Sequence, residues 1–78
     1  MKVQILGRGC PKCKKLAANA EEAIAKAGVD AQIEKIDKLA EIVAFGVMST
    51  PALAVDGDVK AAGKVLSVEQ IEAILKGA

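Results

Sequence analysis

The strongest constraint on this chain is the amphipathic segment from Pro11 to Ala27, which lies between two short apolar runs. Leu16, Ala20, Ala23, Ile24 and Ala27 recur at spacings of three and four, the period of a single apolar stripe on an α-helix. Proline suits the first helical position because its missing N–H has no intrahelical partner there, and Gly28 suits the exit. The spacing predicts a helix over Pro11–Ala27. Before it, Val3, Ile5 and Leu6, bounded by Gly7-Arg8-Gly9, predict a buried strand ending in a loop. After it, Val29, Ala31 and Ile33 alternate with Asp30, Gln32 and Glu34, which predicts a second strand reaching about Ile36. Two parallel strands joined by a helix require a right-handed crossover.

The rest of the chain closes the sheet from the other side. Asp37 is placed to cap a short helix whose apolar face is Leu39, Ile42 and Val43 and which ends at Gly46. Ala52 to Val55 is apolar, and Asp56-Gly57 is a two-residue hairpin turn because both positions tolerate positive φ. A fourth strand from about Asp58 to Ala61 pairs back across that turn, and Gly63 allows a kink. Ser67-Val68-Glu69-Gln70 is a capping box, with Leu66 and Ile71 spaced to form the hydrophobic staple. Val68, Ile71, Ile74 and Leu75 then give the apolar face of a last helix. The expected order is β-α-β-α-β-β-α: an α/β protein with a four-stranded mixed sheet flanked by three helices.

Composition narrows the function. The 78 residues are 53% hydrophobic, mostly Ala, Val, Ile and Leu, with one Phe and no Trp, Tyr or His. A chain of this mass has a folded surface of roughly 4,400 Å² and buries about three-fifths of what it exposes unfolded. One domain over residues 1–78 with a core of many small contacts is expected. Lacking His, the chain has no Ser-His-Asp or Cys-His nucleophile pair. Two cysteines alone cannot close a four-ligand zinc site, and one Phe cannot supply a base-stacking platform. The uncharged stretch from Ile42 to Val55 is shorter than the roughly 20 residues a membrane span needs, and Val3 to Leu6 is too short an apolar run for a signal peptide. The cytoplasm is the expected compartment.

The charge is unevenly distributed. Residues 1–20 hold five bases and no acid, and the remainder holds six bases and ten acids. Both cysteines lie in the basic part, in Cys10-Pro11-Lys12-Cys13, where a loop enters the first helix. A two-residue gap at a helix start brings two sulfurs within bonding reach across one turn. The unpaired N–H groups of the helix start, together with Lys12, Arg8, Lys14 and Lys15, favour thiolate over thiol at Cys10. Cys13, one turn further in, is expected to point toward the protein and keep a higher pKa, which suits it to attack a mixed disulfide rather than begin one. As a structural staple the pair is poor: closing so short a loop is worth about 2 kcal/mol, against about 3 for a fifteen-residue loop.

Taken together, Cys10-Pro11-Lys12-Cys13 between the first strand and first helix, Ser49-Thr50-Pro51 before the third strand and the Asp56-Gly57 hairpin after it resemble the thioredoxin fold in its minimal form. The resemblance covers nearly the whole chain and is nearest to the glutaredoxin-sized redox-active disulfide proteins. It implies Cys10 as attacking nucleophile, Cys13 as resolving thiol, and Pro11 and Lys12 as residues tuning the pair. It further implies that Pro51 is cis and lies against the disulfide, leaving the backbone of Thr50 to pair with an extended substrate segment. Some family features are absent. Thioredoxins carry Trp-Cys-Gly-Pro-Cys, whereas Gly9 precedes Cys10 here and Lys12 stands in place of their proline. Their buried acid six residues before the first cysteine corresponds to Gln4. Glutaredoxins carry an aromatic within the motif and a Gly-Gly-x-Asp segment after the last strand, where this chain has Lys12 and Ala62-Gly63-Lys64.

The expected activity is reduction of protein disulfides by dithiol–disulfide exchange, with no cofactor and no metal. The expected partners are disulfide-containing proteins, favoured when their surface is acidic, and a reductase as electron donor; neither nucleic acid nor membrane is expected, and the chain should act as a monomer. The alternative is a soft-metal carrier holding Cu(I) between the two thiolates. Heavy-metal-associated domains also place CxxC after a first strand, but their order is β-α-β-β-α-β.

Overall fold

The computed structural model describes residues 1–9 and 11–77; Cys10 and Ala78 lie outside the described residues. The elements are β1 (Lys2–Leu6), α1 (Pro11–Ala27), β2 (Gln32–Ile36), α2 (Leu39–Ala44), β3 (Ala52–Val55), β4 (Asp58–Ala62) and α3 (Val68–Gly77). The sheet order is β2-β1-β3-β4. β1 runs parallel to β2, while β3 is antiparallel to both β1 and β4. The mixed sheet and three helices are those expected from the sequence, with 4573 Å² of surface exposed.

Strand alternation divides the core into two layers. Val3, Ile5, Leu53 and Val55 face one side, where Leu16, Ala17, Ala20 and Ala23 of α1 and Ile71 and Leu75 of α3 cover them. Leu6, Ala52, Ala54 and Ile36 face the other, beneath Ile42 and Val47. α1 is bound to the segment before α3 by Asn19, whose Nδ2 donates to the Leu66 carbonyl at 2.9 Å. The capping box forms as expected: Ser67 N–H donates to Gln70 Oε1 at 2.9 Å and Gln70 N–H to Ser67 Oγ at 3.2 Å. The staple residues Leu66 and Ile71 are both buried in the same cluster. At the hairpin, Asp56 and Gly57 take φ of 52° and 85°.

Two local expectations are corrected. β2 begins at Gln32 rather than near Val29, because β1 begins at Lys2 and Lys2 pairs with Gln32; the residues before Gln32 have no strand beside them. α2 is preceded by Lys38, which makes no side-chain cap bond, so Asp37 is not its cap. Only Ile42 of its apolar residues is buried, with Leu39 and Val43 exposed at 58% and 59%. A helix of under two turns lies one residue deep on the sheet, and its other apolar side chains have nothing to pack on.

Candidate active site

The site forms where β1 runs out. Gly7 follows the strand and donates its N–H to the Ile36 carbonyl at 2.9 Å, prolonging the β1–β2 ladder by one bond. Gly9 then turns the chain at φ 82°, and Pro11 is the first residue of α1. Pro11 and Lys12 are exposed, whereas Cys13 is buried on the inward stripe of α1 with Leu16 and Ala17. The inward direction expected of Cys13 is therefore observed.

Register brings the second part of the site to the same place. Leu6 pairs with Ala52 across the antiparallel β1–β3 ladder, so one step further Gly7 faces Pro51. The Thr50–Pro51 peptide is cis. Pro51 is buried and Thr50 exposed, and the Pro51 carbonyl accepts the Gly63 N–H at 2.9 Å. Cys13 and Pro51 meet over Gly7: a Cβ built on that glycine would overlap the Cys13 sulfur and lie 3.9 Å from the Pro51 Cα. Of the six residues the sequence singles out, Pro11, Lys12, Cys13, Thr50 and Pro51 gather at this end of the sheet, while Cys10 lies outside the described residues.

The electrostatics follow the sequence asymmetry. The first turn of α1 holds no acid, and among the described residues Arg8, Lys12, Lys14 and Lys15 enter no ion pair; the pairs present involve Lys2, Lys26, Lys60 and Lys76. A cavity of about 210 Å³ opens beside Cys13, and Arg8, Lys14, Lys35 and Asp37 line it. In the sequence Lys35 carries no assigned role and Asp37 reads as a helix cap, so nothing there marks them as neighbours of a thiol. Gly7 was legible only as a strand boundary. Gln4, at the position of the thioredoxin acid, is committed elsewhere: its Oε1 accepts the Gly57 N–H at 2.9 Å. Among the described residues, no group of three or more His, Cys, Asp or Glu could hold a metal ion, and no helix is long and apolar enough to cross a membrane.

A crossover helix starting over the end of β1, a cis-proline opposite that end and an antiparallel hairpin completing the sheet define a thioredoxin-like α/β protein. The chain belongs to the thioredoxin domain family, whose model matches residues 1–76. It is 47% identical to a thioredoxin of Methanothermobacter thermautotrophicus over 75 residues, covering 96% of this chain and 97% of that protein. It is 39% identical to a thioredoxin of Methanocaldococcus jannaschii over 74 residues, covering 95% and 85% respectively. By family the chain is a thiol–disulfide oxidoreductase with protein-disulfide reductase activity.

Proposed function

We propose that the chain reduces protein disulfides through Cys10 and Cys13. The Cys10 thiolate attacks one sulfur of the substrate disulfide, forming a mixed disulfide and releasing the first substrate thiolate. Cys13 then attacks Cys10 Sγ, releasing the second. Two electrons pass to the substrate, the enzyme is left with a Cys10–Cys13 disulfide, and a separate reductase restores the dithiol. Pro11 and Lys12 tune the pair from the helix start, and the backbone of the exposed Thr50 pairs with an extended segment of the substrate. The unpaired basic residues favour partners with acidic surfaces. A reducing compartment such as the cytoplasm supplies the conditions in which the dithiol form persists.

One observation carries this reading: the buried Cys13 sulfur and Pro51 converge on Gly7 at the end of β1, beside the exposed Thr50. The direct test is reduction of insulin with dithiothreitol as donor, alongside a Cys13→Ser variant offered a protein disulfide. Catalysis above the uncatalysed rate and a mixed disulfide trapped on Cys10 are expected. Absence of both results overturns the assignment.

A further inference from the structure

Gly7 lacks a side chain for a reason different from that of the loop glycines. Gly9, Gly28, Gly46 and Gly57 take positive φ and have open space where a Cβ would go, so their requirement is conformational. Gly7 is buried, lies outside the left-handed region, and faces occupied space: its Cβ would overlap Cys13 Sγ and lie 3.0 Å from Cys13 Cβ. Ordinary carbon–carbon contact begins near 3.5 Å. The backbone cannot easily back away, because its N–H is held by Ile36 on one side and Pro51 closes the other.

We propose that Gly7 is a positioning residue for the second step of disulfide exchange: the bare backbone at the end of β1 is the slot that seats the Cys13 sulfur for attack on Cys10 Sγ. The proposal rests on the reading of Cys13 as the resolving thiol. A methyl group at position 7 drives the sulfur into another staggered well, a movement of about 3 Å. That rotation leaves the 3.0 Å approach to Cys13 Cβ unrelieved, so the first turn of α1 gives by a few tenths of an ångström as well. In the step concerned, the Cys13 thiolate forms a bond to Cys10 Sγ as the bond from Cys10 to the substrate sulfur breaks, and the substrate thiolate takes up a proton. Misplacement of a reacting atom by about 1 Å costs on the order of 10²-fold in rate, so this step is the one that suffers. The Cys10 attack that precedes it does not use the slot.

The test separates the two steps in Gly7→Ala by acid-quenched single turnovers with a protein disulfide, counting mixed disulfide by intact mass. The mixed disulfide is expected to persist about 10–100-fold longer than in the parent, while alkylation of Cys10 by iodoacetamide stays within about twofold. Stability is followed in parallel as a double-mutant cycle with Cys13→Ala. The urea midpoint of Gly7→Ala should fall in the parent background, and at least half of that fall should vanish once the sulfur is gone. Parental resolution kinetics, or an equal loss of stability in both backgrounds, overturns the proposal. If Cys13→Ser traps no mixed disulfide in the otherwise parental protein, the functional reading itself has failed and the positioning role falls with it. If it does trap one and Gly7→Ala still resolves at the parental rate, only the role of Gly7 has failed.

Discussion

Gln4 holds the β3–β4 hairpin to the centre of the sheet: its Oε1 accepts the Gly57 N–H at 2.9 Å from a residue only 8% exposed. In thioredoxins the corresponding position carries an acid that serves the thiols, so here the same place in the sheet serves the turn. Gln4→Ala removes a partly buried bond and leaves the exposed Gly57 N–H to water, a loss of about 0.5–1.5 kcal/mol. The urea midpoint should fall accordingly, while the rate of Cys10 alkylation is unchanged. A parallel drop in thiol reactivity would show that Gln4 acts on the site after all.

Leu53 is fully buried in the layer shared by α1 and α3, on a strand flanked by both β1 and β4. Leu53→Ala leaves a cavity that no neighbour can fill without moving a strand, at a cost of about 2–5 kcal/mol. A domain this small has only a few kcal/mol in hand. Loss of cooperative thermal unfolding is therefore expected, and a variant melting within a few degrees of the parent would contradict this account of the core.

Ser67 caps α3 reciprocally with Gln70. Ser67→Ala should cost about 1 kcal/mol and Gln70→Ala less, since the longer Gln70 side chain gives up more rotamer freedom to make its bond. Because Ile71 and Leu75 deliver α3 to the core, hydrogen exchange in Ser67→Ala should quicken first along α3. Uniform quickening across the sheet would mean the cap matters only to global stability.

The elements most legible in the sequence are those with a chemical marker at a boundary. Pro11 and Gly28 bracket α1, Ser67 and Gln70 open α3, and Asp56-Gly57 closes the hairpin; all three elements lie where these residues put them. Alternation alone extends β2 too far, because a strand's extent depends on its neighbour, and the pattern at Val29 and Ala31 carries no information about where β1 starts. The face of α2 differs from its pattern for a related reason: the spacing of Leu39, Ile42 and Val43 does not reveal how many of them reach a sheet. At the site, the motif and Thr50-Pro51 stood out in the sequence because their residue types are chemically unusual. The slot at Gly7 did not, because it arises from two ladders ending together beneath a helix, a relation between elements that residue spacing does not encode.

The basic cluster at the start of α1 leads to a prediction about the nucleophile. Arg8, Lys12, Lys14 and Lys15 have no acid paired with them among the described residues, and the first turn of α1 carries none. This end of α1 thus carries two sources of positive potential: formal charges and the N–H groups of the helix start. Both stabilise the thiolate, so in a Cys13→Ser background the pH midpoint of Cys10 alkylation should lie below the free-thiol value of about 8.5. The two sources separate by salt. Raising ionic strength from about 0.1 M to 1 M shortens the screening length from about 10 Å to about 3 Å, which weakens the lysines and arginine more than the adjacent N–H groups. The midpoint should therefore rise with salt but remain below about 8.5. Lys12→Glu should raise it at low salt and flatten its salt dependence. Lys26→Glu, the same charge reversal at the far end of α1, should leave it in place. A midpoint at the free-thiol value, indifferent to both salt and Lys12, would show that the charge asymmetry has no part in activating the thiol.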